Sequence, residues 1–143
     1  MLRDTFTSIY AMLCESLRGI PYGGWIGFAV FILAHYIGDF VLQSRKIATE
    51  KSSSILALSI HVAIYTATIL VFSFLVDFTA HQRSVFVIYN GLLHFITDYI
   101  SSRVTEKAWS DGNIEKFWDT IGFDQFAHIY SLYVIYGMLM NND

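Results

Sequence analysis

"SSSILALSIHVAIYTATILVFSFLV", residues 52–76, contains no Asp, Glu, Lys or Arg and a single histidine, His61. A helix needs roughly 17 to 25 predominantly apolar residues to cross the hydrocarbon core of a bilayer. A soluble helix of this length would carry a polar face, and this stretch has none. Three other stretches are nearly as free of charge: 19–43 interrupted only by Asp39, 84–102 only by Asp98, and 120–142 only by Asp124. The reading is therefore an all-α integral membrane four-helix bundle, with spans near 24–43, 53–76, 84–102 and 121–140 in one domain covering 22–142.

Composition agrees with this setting. Of the 143 residues, 55% are hydrophobic and 15% charged, and the mean hydropathy of +0.48 is high for a water-soluble domain of this size. A net charge of -3 leaves no basic footprint for nucleic acid. The lone cysteine, Cys14, excludes an internal disulfide. Residues 1–18, "MLRDTFTSIYAMLCESLR", put Leu2, Phe6, Ile9, Leu13 and Leu17 on one helical face, while Asp4 and Glu15 break any continuous apolar run. This predicts an amphipathic helix lying on the membrane surface. "GIPYGGW" then ends it, and Trp25 anchors the first span at the interface.

The apolar stretches carry a second pattern. His35 and Asp39 stand four residues apart, as do His94 and Asp98 and, in reverse order, Asp124 and His128. Residues at i and i+4 share one face of a helix. Gln43 continues the first stripe and Asn90 precedes the second by four. With five His and eight Asp in the chain, chance supplies about half such a pair, a count worth making before a pattern is believed. The sequence has four, of which Asp77 and His81 lie in the polar turn "DFTAHQR" and are read as solvated loop residues. Ionisable groups inside apolar spans are costly and imply function.

Depth strengthens the case. His35 and Asp39 lie near the end of the first span, His61 near the start of the second, His94 and Asp98 near the end of the third, and Asp124 and His128 at the start of the fourth. Consecutive spans alternate in direction, so all seven side chains converge near one membrane face. Carboxylates facing one another without cations repel. His with Asp is a ligand mixture suited to zinc, manganese or iron, and four-helix bundles host dinuclear sites of this kind. Seven ligands exceed one tetrahedral ion, so one or two divalent metals, zinc or manganese, are expected on His35, Asp39, His61, His94, Asp98, Asp124 and His128. A hydrogen-bonded polar network without metal is the competing account, and Asp124 alone could be a helix cap.

The loops at that end hold Arg45, Lys46, Lys51, Arg103, Lys107 and Lys116, against Arg3, Arg18 and Arg83 at the other. This excess puts the His/Asp end in the cytoplasm, with both termini outside a bacterial inner membrane. Lys51 and Arg103 stand just beyond the ends of their spans, as contacts for an anionic group or as snorkelling cations. Trp109 and Trp118 read as interface anchors.

"HYIGDFVLQ" (35–43), Lys51, His61, "HFITDYISSR" (94–103) and "FDQFAHI" (123–129) together resemble an uncharacterised family of small integral membrane proteins of bacteria and their phages, carried as a domain of unknown function. The recurring pattern is HxxxDFxLQ, a downstream Lys, a His in the second span, HxxxD followed by a basic residue, and DQxxH. The resemblance covers residues 30–135 and implies that His35, Asp39, Gln43, Lys51, His61, His94, Asp98, Asp124, Gln125 and His128 are the family-type positions. Arg103 stands where that pattern often has Lys. More loosely, the chain is similar to membrane-bound predicted metal-dependent hydrolases.

These observations lead to a membrane-embedded metal-dependent hydrolase. Bound metal would generate the nucleophile from water, whichever of Asp39 or Asp124 does not ligate would serve as general base, and Gln43 and Gln125 would orient ligands or substrate. A phosphate-bearing lipid or amphiphile is the expected substrate, with Lys51 and Arg103 as anion contacts. Two alternatives stand beside it. One is a transporter or proton relay, which would require polar groups through the apolar halves of the helices or an oligomer around a pore. The other is a membrane interaction protein with a structural metal.

Overall fold

The computed structural model describes residues 25–140; the amphipathic helix expected over 1–18 and Cys14 fall outside the described residues. The described chain is all-α, with no strand. Helix α1 (Trp25–Tyr36) runs into a wider turn over Ile37–Val41, closed by Leu42 N–H donating to the Ile37 carbonyl at 2.9 Å. This i→i+5 bonding is the π form, which concentrates at functional sites. A short helix α2 (Arg45–Glu50) follows, capped by the Ser44 hydroxyl accepting from Ile47 N–H. Helix α3 (Ile55–Ser73) is capped in the same way by Ser54, which accepts from Ala57 N–H.

Helix α4 (Ala80–Ser110) opens on a reciprocal capping box between Thr79 and Gln82. Helix α5 (Ile114–Met140) returns along it. The two are joined by a three-residue turn in which Gly112 is left-handed at φ 71°. Asn113 N–H donates to the Ala108 carbonyl at 2.9 Å and Gly112 N–H to that of Trp109 at 3.0 Å, the pairing that closes a helix over a glycine. The polar stretch 101–120, expected as a loop, is thus mostly helix: α4 and α5 both run past their apolar segments and project as a hairpin.

Among the described residues, α3 alone is long and apolar enough by itself to cross a membrane, with a mean hydropathy of 2.2 over its best window. Helix α1 is apolar but shorter, and the charges of α4 and α5 lie mostly in their hairpin ends.

Polar and apolar side chains are partitioned unusually. Gln82, Asn90, His94, Asp98 and Ser101 of α4 are buried, whereas Ile88, Tyr89, Leu92, Ile96 and Ile100 on its other side are exposed. At the end away from the hairpin, Phe31, Phe78, Phe86 and Tyr136 form an aromatic cluster, with Phe31 and Phe86 ring centroids 4.1 Å apart. Ile69, Val76 and Leu132 complete that core.

Helix α3 comes close to its neighbours at two glycines. A Cβ on Gly91 would lie 2.7 Å from Thr66 Oγ1 and 3.3 Å from Thr66 Cγ2, and one on Gly38 would lie 3.2 Å from Tyr65 Cα. Either the Thr66 side chain or α4 has to move to admit a methyl group. Gly91→Ala is expected to destabilise the protein by about 1–3 kcal/mol through overpacking. Adding Thr66→Ala should restore most of that loss, a coupling that thermal unfolding of the two single variants and the double variant will measure.

Candidate metal centre

Three features bring the site together. The π turn ends α1 with Gly38 against α3 and Asp39 buried. Helix α3 contributes His61 six residues after its first, and the His94/Asp98 stripe of α4 faces α5. Helix α5 begins ten residues before Asp124, so Asp124 is not its cap. His61, His94, Asp98 and His128 are each no more than 1% exposed, and Asp39 is 4%. Burying this many ionisable groups is tolerable only if they satisfy one another or a cation.

The atoms fall into two groups. In the first, Asp39, His61, His94 and Asp98 each offer one ligand atom, all within 4.8 Å of one another. His61 Nε2 lies 3.1 Å from Asp39 Oδ1, 3.0 Å from Asp98 Oδ2 and 3.0 Å from His94 Nε2. His94 Nε2 is 3.6 Å from both carboxylates. A tetrahedral ion with bonds of about 2.0–2.1 Å sets its ligands roughly 3.3 Å apart, a spacing these atoms can meet. Among the described residues, buried Asp39 Oδ1 has no partner beyond the Nε2 atoms of His61 at 3.1 Å and His94 at 3.6 Å.

Asp98, Asp124 and His128 form the second group. His128 Nε2 is 3.1 Å from Asp98 Oδ1 and 3.4 Å from Asp124 Oδ1. Asp98 belongs to both, with Oδ2 towards the first group and Oδ1 towards the second. The buried cluster can hold a metal ion, and the shared carboxylate gives it the layout of two adjacent sites.

Around these atoms lies a supporting shell. The Gln43 side-chain amide is 3.1 Å from His61 Nδ1, which holds the ring with Nε2 towards the cluster. Which amide atom faces that nitrogen follows the tautomer: amide nitrogen to a bare Nδ1, amide oxygen to Nδ1–H. Gln125 links three side chains, its Oε1 accepting from His35 Nε2–H at 3.0 Å and its Nε2–H₂ donating to Asp39 Oδ2 at 3.1 Å and Asp124 Oδ2 at 2.9 Å. The Ser101 hydroxyl donates to Asp124 Oδ1. Tyr65 stacks on His94 at 3.7 Å, and His94 on His128 at 4.1 Å.

Of the seven ligands expected from sequence, six fall in the two groups. His35 does not: its Nε2 is committed to Gln125 and stays 3.8 Å from Asp39 Oδ2. It holds Gln125 and, through it, the two carboxylates. Lys51, brought over the cluster by α2, donates to Asp98 Oδ2 at 2.8 Å. Arg103 is turned away: its guanidinium lies 3.7 Å over the Tyr99 ring and donates to the Tyr99 carbonyl at 2.7 Å. It sits within α4, two turns short of the helix end, where its neighbours direct it along the outer face. Sequence reading missed Ser101, although it follows Asp98 by three residues and so extends the same stripe.

A cleft of about 520 Å³ opens onto the cluster, with Asp39, Gln43, Lys51, Asp124 and Gln125 at its inner end. Gln43→Ala is expected to weaken metal binding about 10- to 100-fold by freeing the His61 ring, which competition with a chromophoric chelator will read.

The family model described as Protein of unknown function (DUF3307) matches residues 28–143, and the chain belongs to that family. No curated protein and no solved structure matches.

Proposed function

We propose that this chain is a membrane-embedded, metal-dependent hydrolase of phosphate esters, using two divalent ions, zinc or manganese, that share Asp98. The observation that carries this reading is the division of Asp98 between two ligand groups, one oxygen to each. Ions held by these residues would lower the pKa of water and supply positive charge for a displacement at phosphorus. Lys51, at the inner end of the cleft, neutralises charge on the phosphoryl oxygens. With the second ion held by Asp98 and His128, Asp124, the most exposed of the cluster carboxylates at 13%, borders the cleft and is left to take the proton from the attacking water. The new P–O bond comes from water, the P–O bond to the alcohol breaks, and the proton ends on the departing oxygen.

The membrane setting is supported by the inverted partition of α4, which buries its polar stripe and exposes isoleucine, leucine and tyrosine. A contiguous apolar exterior of this kind marks a surface that faces lipid or another protein. The site then lies near one interface, and the Lys and Arg excess at that end directs it to the cytoplasm. A transport path is disfavoured because Phe31, Phe78, Phe86 and Tyr136 fill the bundle beyond the cluster.

Metal content of purified protein by mass spectrometry, paired with hydrolysis of bis(p-nitrophenyl) phosphate and p-nitrophenyl phosphate, tests this. About two equivalents per chain are expected, both lost in Asp98→Ala and about one lost in His61→Ala or His128→Ala. Folded wild-type protein that takes up no zinc or manganese, or that is fully loaded yet hydrolyses neither ester, would overturn the proposal.

A further inference from the structure

Building on the hydrolase reading of the cluster, we propose that the cleft recognises a zwitterionic phosphate ester, with the phosphate beside Lys51 and an ammonium group beside Glu106, Trp109 and Phe117. The two ends of the cleft differ in chemistry. Lys51 is the only cation among its lining residues and lies at the inner end, on Asp98. Glu106, Trp109 and Phe117 line the same cleft. Glu106 makes no ion pair within the described residues, whereas its neighbour Lys107 is paired with Asp111 at 3.0 Å.

Hydroxyl groups between the two ends have already spent their protons. Thr105 donates to the Ser101 carbonyl, Ser102 to that of Asp98 and Thr49 to those of Arg45 and Lys46, while Ser101 donates to Asp124. A hydroxyl has one proton, which Thr49 shares between two carbonyls, so these lining groups have only lone pairs left to offer. The outer cleft is therefore rich in acceptors and carries one unpaired carboxylate, surroundings that favour a donor with positive charge.

Aromatic side chains complete that end. The rings of Trp109 and Phe117 are 5.2 Å apart at 53°, and Glu106 precedes Trp109 by three residues on the same face of α4. Aromatic faces beside a carboxylate are a favourable environment for an alkylammonium ion. From Asp98 to Glu106 the helix rises about 12 Å. A phosphate, a short spacer and an ammonium, with a contact at each end, are of that length.

Binding of dodecyl phosphoethanolamine and dodecyl phosphoglycerol to zinc-loaded protein in a maltoside detergent, measured by isothermal titration calorimetry, tests the inference. The amine-headed ester is expected to bind about five- to tenfold more tightly. In Glu106→Gln the two affinities should converge, with metal content and melting temperature unchanged. Equal affinities in the wild type, a preference that survives in Glu106→Gln, or no binding of the amine-headed ester would overturn the inference. Release of dodecanol or of the head-group alcohol, ethanolamine or glycerol, in the same samples reports separately on hydrolysis: a head-group preference without turnover retains the site and removes the hydrolase reading, and turnover without preference does the reverse.

Discussion

One carboxylate organises this molecule. Asp98 is almost fully buried, and its two oxygens are met by Lys51 after α2, His61 on α3 and His128 on α5. A buried carboxylate with an unmet oxygen costs several kcal/mol, so every helix that borders Asp98 must present a partner at its depth. That requirement fixes the register of α3 and α5 against α4 more tightly than apolar contact can. It also accounts for α2, a six-residue helix whose main structural consequence is to carry Lys51 back over the cluster.

Helix α1 meets the same requirement through a local change of geometry. The π turn over Ile37–Val41 brings Gly38 against Tyr65 and Thr68 of α3, where a side chain would not fit without movement. Asp39 is thereby buried beside His61 and His94. Gln125 then joins His35, Asp39 and Asp124, so the carboxylates at the mouth of the cluster are held by a single amide. The result is a buried cluster held from several helices, onto which the cleft opens.

The bundle is divided along its length. Beyond the cluster, aromatic rings pack edge and face around Phe31 and Phe86. At the other end, α4 and α5 continue as a hairpin that supplies one wall of the cleft. The chemistry proposed here depends on this division: a closed apolar half, a buried charged layer and an open polar entrance, in that order along the same helices.

Much of this was legible in the sequence because helical periodicity is a local property. The uncharged run 52–76, the His/Asp pairs at a spacing of four and the alternation of span direction suffice to predict an all-α bundle with its ionisable residues at one level. The glycine that closes α4, in "DGN" at 111–113, went unread, because the polarity of 101–120 masks a helix that continues by its own capping and packing. Three outcomes depended on the tertiary structure. His35 occupies the same stripe as Asp39, yet its Nε2 meets Gln125 and it stays outside both groups. Lys51 and Arg103 look equivalent as cations beyond span ends, and only the path of α2 and the ring of Tyr99 separate them. The sharing of Asp98 between two groups, with Ser101 steadying Asp124, depends on distances across helices, which spacing along one chain does not encode.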